Sequence, residues 1–111
     1  MIKLIATDID GTLLKDGTLM IDPEYMTVIE KLTSKGSIFV ACSGRQFISE
    51  RKLFAPVCDK LLYITDGGTV VRTPHKILKV HTLPEDVWHG MCETVRNELP
   101  DCDYFIATPD Y

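Results

Sequence analysis

Asp8 and Asp10 flank a single isoleucine at the end of the apolar run Met1 to Thr7, and Gly11, Thr12, Leu13 and Leu14 follow at once. Side chains two residues apart on a strand share a face. If the strand geometry persists to Asp10, both carboxylates point the same way. Gly11 lets the backbone turn sharply or approach a ligand closely. Two acids in one place repel each other, and a hard dication such as Mg2+, which takes oxygen ligands and bridges to phosphate, answers that repulsion. A carboxylate at Asp8 can attack phosphorus and form an aspartyl-phosphate, splitting one hard hydrolysis into two displacements. Asp10 can give a proton to the leaving oxygen and later take one from the attacking water.

A second candidate lies 33 residues beyond Asp10, at Ser43-Gly44. The hydroxyl can donate to a phosphate oxygen, and the glycine permits close backbone approach. A helix beginning at Arg45 would add free amides, since helix N-termini attract anions. Arg45 can also reach a phosphate, but an arginine early in a helix is expected to be solvated. Asp66-Gly67-Gly68 reads first as a turn. His75, His81 and His89 share no metal-ligand spacing and read as surface or structural residues.

The elements that must place these residues follow from apolar runs and turn signals. Ile2 to Thr7 suits a buried strand. Asp16-Gly17 between Leu-rich flanks predicts a hairpin over Leu13 to Met20. Asp22 before Pro23 reads as an N-cap with proline at the first helical position, and Gly36 as a stop, giving a helix over Pro23 to Lys35. Ser37 to Cys42 is a second strand, Arg45 to Phe54 a second helix, and Lys60 to Thr65 a third strand. Thr69 to Thr73 and Lys76 to Leu83 are strand-like. Trp88, Cys92, Val95 and Leu99 share one face of a helix over Pro84 to Leu99, and Asp103 to Thr108 reads as a strand. Alternating strand and helix over the first 65 residues specify crossover connections and a parallel sheet. In such a sheet the reactive site lies beyond the carboxyl ends of the strands, where Asp8, Asp10 and Ser43 fall.

The composition is that of a folded globular chain: 111 residues, 45% hydrophobic and 25% charged. A net charge of −4 leaves no basic footprint for nucleic acid. No apolar stretch reaches the ~18 residues that suggest a membrane span. Met1 to Ala6 is too short for a signal peptide's apolar region. The four cysteines lack CxxC spacing, and Cys42 reads as a small buried hydrophobe. A reduced, cytoplasmic protein is expected.

These motifs resemble those of the haloacid dehalogenase (HAD) superfamily. Asp8-Ile9-Asp10-Gly11-Thr12-Leu13-Leu14 is similar to its first motif, and Ala41-Cys42-Ser43-Gly44-Arg45 to its second. Tyr63 to Val71 resembles the strand-turn-strand that precedes the cap in the Cof-type sugar-phosphatase branch. The resemblance covers nearly the whole chain. It implies a Rossmann-like α/β fold: residues 1–82 as the N-terminal part of a HAD core, and residues 83–111 as the start of an inserted α+β cap. It implies Asp8 as nucleophile and Mg2+ ligand. Asp10 becomes general acid/base, with its backbone carbonyl also on the metal. Phosphate falls to Ser43, Gly44 and the amide of Ile9, and the Leu13 to Met20 hairpin would form the flap.

Two departures qualify the match. Asp66-Gly67 stands where the branch usually has Asn-Gly, which keeps the turn but loses an amide donor. The family's later lysine and acidic pair lie beyond the cap, and Lys52, Lys60, Lys76 and Lys79 cannot supply that lysine by position. The chain is therefore expected to be the front part of a longer enzyme that binds Mg2+ weakly by itself. Ile2 to Thr7 is expected to present an unpaired apolar edge, so that the 111-residue chain self-associates through it or folds poorly.

The reading that results is a Mg2+-dependent phosphomonoesterase of small, sugar-phosphate-like metabolites. A phosphosugar mutase would use the same nucleophile but return the phosphoryl group to substrate. A non-catalytic chain that only binds phosphate or a partner is the rival of a different class. A receiver-type domain does not suit the Asp-x-Asp-Gly-Thr pattern. A two-carboxylate glycosidase leaves Ser43-Gly44 unexplained.

Overall fold

The structure, a computed structural model, describes residues 1–109. The chain divides into two compact units, Met1–Val80 and His81–Tyr111.

The first unit holds five strands and two helices: β1 (Leu4–Asp8), α1 (Pro23–Ser34), β2 (Ile38–Cys42), α2 (Phe47–Leu53), β3 (Leu62–Thr65), β4 (Val70–Arg72) and β5 (Ile77–Val80). The sheet order is β1-β2-β3-β4-β5. β1, β2 and β3 run parallel, as their alternation with helices requires. β4 and β5 then return antiparallel, so the sheet is mixed rather than wholly parallel. The reason is local: Asp66-Gly67-Gly68 takes three successive positive φ values, 52°, 67° and 99°. That left-handed turn reverses the chain in place of a helical crossover.

The core explains the second apolar run, whereas Ile2 to Thr7, expected as a buried strand, forms an edge strand with Leu4, Ala6 and Asp8 exposed because no further strand pairs beside it among the described residues. Phe39, Val40 and Ala41 of β2 are all buried, as expected of a parallel strand covered on both faces. Ile29 of α1 and Phe47 of α2 pack into the same cluster as Phe39, Phe54 and Tyr63. Tyr63 meets the edge of Phe47 at 5.1 Å and donates its hydroxyl to the Cys58 carbonyl at 2.7 Å. The ends of α1 form as the sequence predicts. The Asp22 carboxylate accepts from the Glu24 amide at 2.9 Å. Gly36, at φ 88°, lets its own amide and that of Ser37 reach the carbonyls of Thr33 and Leu32.

Three expectations need correction. The Leu13 to Met20 hairpin does not form paired strands. An Asp-Gly hairpin turn, with glycine in second place, is of the type that needs positive φ at both central residues, and of Asp16 and Gly17 only the glycine has it. The result is a lone Lys15–Thr18 turn, with Leu19 and Met20 out in solvent. The second helix starts at Phe47 rather than Arg45, and Pro56 opens a separate 3-10 segment, Ala55–Lys60. Residues 103–108 form no strand; they are exposed, and the second unit has no other strand among its described residues to pair with them.

The second unit contains α3 (Glu85–Glu98). Its Trp88, Cys92 and Val95 are half-buried while the rest of the helix is exposed; Leu99, the fourth member of the expected stripe, falls just past the helix end and is exposed. The last two residues of the expected 83–111 unit lie outside the described residues.

Candidate active site

Asp8 closes β1 level with Cys42 of β2, which is level with Ile64 of β3. The Ser43 amide donates to the Ile64 carbonyl at 3.0 Å and carries the pairing one residue further. Three adjacent parallel strands therefore release Asp8, Ser43 and Asp66 at the same edge. Ile9 is fully buried while Asp8 and Asp10 are exposed, so the alternation of a strand persists to Asp10. The chain then turns over the Ile9 carbonyl, which accepts from the amides of Thr12, Leu13 and Leu14 at 2.9–3.1 Å. Gly11 makes this possible at φ 79°. The turn brings the Thr12 hydroxyl back to Asp8 Oδ2 at 3.1 Å and orients the carboxylate.

Asp10 is held from across the sheet edge. Arg45 Nε donates to its Oδ2 at 2.8 Å and Arg45 Nη2 to its Oδ1 at 2.6 Å, a two-pronged clamp. Ser43 Oγ also donates to Oδ2, at 3.3 Å. The guanidinium holds the Asp10 carboxyl below the usual carboxylate range. Arg45 is thus no solvated helix residue. It precedes the helix, and its remaining prong, Nη1, donates to Ser49 Oγ at 3.1 Å.

Ser43 Oγ accepts from the Arg45 amide at 3.1 Å. With α2 beginning only at Phe47, the expected helix-terminal anion site is not built there. Instead the Ser43–Arg45 loop is strapped to the turn after β3. The Asp66 amide donates to the Arg45 carbonyl at 2.9 Å, and the Gly67 amide to the Ser43 carbonyl at 3.1 Å. Apart from its own chain neighbours, no atom lies within 4 Å of where a Gly44 side chain would begin, so space beside that backbone is open to a ligand.

The structure thus brings Asp10, Ser43 and Arg45 into direct contact, with Asp8 and Ile9 on the adjoining strand end. Reading the sequence missed three participants. Thr12 lay inside a quoted motif without a role. Asp66 straps the loop through its backbone, which no side-chain pattern reveals. Glu50 is fully buried, with neither carboxyl oxygen hydrogen-bonded. Its signal was present: Phe47, Glu50 and Phe54 fall on one helical stripe, so an acid sits where an apolar residue is expected. Burial, then Asp66, pushes its pKa up to about 8, against the pull of Arg45.

The donor chemistry suits a hard cation. The Asp8 carboxylate and the main-chain oxygen of Asp10 offer hard oxygen donors of the kind Mg2+ takes, and Mg2+ is commonly held by one or two carboxylates, water and substrate phosphate. The Asp10 carboxylate itself is committed to Arg45. Among the described residues no group of three His, Cys, Asp or Glu side chains is placed to hold a metal ion. His75 and His89 each lie beside a single carboxylate, Asp59 and Glu85.

A family model described as haloacid dehalogenase-like hydrolase matches residues 5–111. The Escherichia coli K12 protein 5-amino-6-(5-phospho-D-ribitylamino)uracil phosphatase YbjI is 30% identical over 92 residues, covering 83% of this chain and 34% of its own. A solved structure from Eubacterium rectale is 73% identical with a TM-score of 0.89, over 99% of this chain and 42% of that one. A haloacid dehalogenase-like hydrolase from B. subtilis shares the fold at 24% identity, TM-score 0.74, over 88% of this chain and 34% of that one. The chain spans about a third of the length of the curated relatives it matches. A strand-end Asp-x-Asp-Gly-Thr, a Ser-Gly on the next strand and a family match over nearly every residue place the chain in the haloacid dehalogenase-like hydrolase family.

Proposed function

We propose that the protein carrying this chain is a phosphomonoester hydrolase of small phosphorylated metabolites, sugar phosphates in kind, working through an aspartyl-phosphate on Asp8. One observation carries the reading: Asp8, Asp10 and Ser43 come from two paired parallel strands and meet at their carboxyl ends, with Ser43 Oγ 3.3 Å from Asp10. The E. coli relative, named for a phosphorylated ribityl compound, supports the substrate class. Residues 1–82 serve as the first part of the catalytic core and 83–111 as the start of the cap, in a cytoplasmic enzyme.

Asp8, oriented by Thr12, attacks phosphorus as the bond to the leaving oxygen breaks. Asp10 gives that oxygen a proton. In the second step a water attacks the aspartyl-phosphate, Asp10 takes its proton, and phosphate leaves with Asp8 restored. Ser43 donates to a phosphate oxygen, and the open backbone at Gly44 and the amide of Ile9 receive the others. Mg2+, held by Asp8 and the Asp10 main-chain oxygen, would supply the positive charge that lets one anion approach another.

Release of phosphate from p-nitrophenyl phosphate by the full-length protein tests the reading. It is expected to need Mg2+ and to stop on chelation. Hydrolysis indifferent to chelator would contradict the metal assignment, and isomerisation of a sugar phosphate without net release would favour a mutase.

β1 forms one edge of the sheet, and Leu4 and Ile2 beside it are 54% and 67% exposed. Such an edge pairs with further strands, so self-association of the 111-residue chain is expected through it. Sedimentation should show a mass that rises with concentration; a monomer at every concentration would refute this.

A further inference from the structure

We propose that Arg45 is a transferable clamp: it holds Asp10 in the resting site and passes to the phosphoryl group when substrate binds, releasing Asp10. The inference rests on the reading of Asp8 and Asp10 given above, and adds to it a residue and an order of events.

In the resting structure neither oxygen of Asp10 is free. Oδ1 receives Arg45 Nη2, and Oδ2 receives both Arg45 Nε and Ser43 Oγ. A carboxylate capped in this way cannot reach a leaving oxygen or a water. An acid/base at Asp10 therefore requires that the clamp open first.

The structure shows what would open it. The guanidinium lies against Asp10, whose Oδ2 also receives the Ser43 hydroxyl assigned above to the phosphate, so a change of side-chain torsion would carry it from the carboxylate to a phosphoryl group bound beside Ser43. The pair is accessible, with Arg45 and Asp10 side chains 34% and 51% exposed, and exposed ion pairs are cheap to break. A phosphate monoester carries nearly two negative charges and three acceptor oxygens, against one charge on a carboxylate. The planar fork that now fits a carboxylate fits phosphate equally well. Ser49, on Nη1, anchors the far side of the guanidinium. The arrangement would couple arming of Asp10 to arrival of the phosphoryl group.

Inorganic phosphate is the probe, and a double-mutant cycle in the full-length protein is the test, read by NMR of the Arg45 Nε–H and the Asp10 carboxyl carbon. Phosphate should shift both signals along one binding curve. Arg45→Gln should weaken phosphate by about tenfold, the scale of a lost charge-assisted contact. Asp10→Asn should tighten phosphate several-fold in the parent, because Arg45 is no longer shared, and should fail to do so in the Arg45→Gln background. Equal tightening in both backgrounds would mean simple charge repulsion and would overturn the clamp. So would an Arg45 signal that saturating phosphate leaves unmoved. Phosphatase activity lost in Asp8→Asn alongside either result would leave the catalytic reading standing and remove only the clamp.

Discussion

Asp8→Asn should abolish phosphate release from the full-length protein, with kcat falling by at least ~10³-fold, the scale seen when a nucleophile is removed. The expectation follows from position. Asp8 is the last residue of β1, exposed, and oriented by Thr12. Asparagine keeps the shape and the contact with the Thr12 hydroxyl, but its amide is a poor nucleophile. The fold should therefore survive, and thermal melting of the 111-residue chain should be nearly unchanged. Asp10→Asn should also lower kcat, by ~10²–10⁴-fold. It should leave a first step detectable with p-nitrophenyl phosphate, whose leaving group needs little protonation. Equal loss with good and poor leaving groups would contradict an acid role for Asp10.

Glu50 carries the second large effect, on stability rather than turnover. Its carboxyl is fully buried and its pKa is pushed up from 4.5 to about 8. Below pH 4.5 it is protonated in both the folded and the unfolded chain and contributes nothing to pH dependence. Between 4.5 and 8 the unfolded chain releases the proton while the folded chain keeps it. The unfolded state then binds fewer protons, and stability falls as pH rises. At ~1.4 kcal/mol per pH unit, the loss by pH 8 is on the order of 3–5 kcal/mol, a large share of the ~5–15 kcal/mol that holds an ordinary domain together. Denaturant unfolding of the 111-residue chain should show the decline from pH 5 to 8. Glu50→Gln, which cannot ionise, should remove most of it and be the more stable protein at pH 8. A Glu50→Gln chain as pH-sensitive as its parent would refute the assignment.

Much of this fold was legible because its signals are local. β2 is a short unbroken apolar run, since a strand covered on both faces has no solvent side. α1 begins at an Asp-Pro pair and ends at a glycine, and both caps form. The strand-end position of Asp8 and Ser43 followed from the same rhythm. What the sequence hid is tertiary. Asp10 and Arg45 are 35 residues apart, and nothing in the local pattern says that the guanidinium turns inward. The helix expected from Arg45 starts instead at Phe47, because the Ser43 and Arg45 carbonyls are taken by the amides of Gly67 and Asp66. Asp16-Gly17 promised a hairpin that one positive φ could not complete. The strand expected at residues 103–108 lacked a partner, and strand propensity is realised only against a neighbour.

The central claim is the covalent bond between Asp8 and phosphorus, and chemical trapping tests it most directly. Full-length enzyme quenched during turnover and treated with borohydride should have its aspartyl-phosphate reduced to homoserine. Peptide mass spectrometry should find that conversion at Asp8, dependent on substrate and absent without it. Homoserine at another aspartate, or steady turnover in Asp8→Asn, would contradict the account.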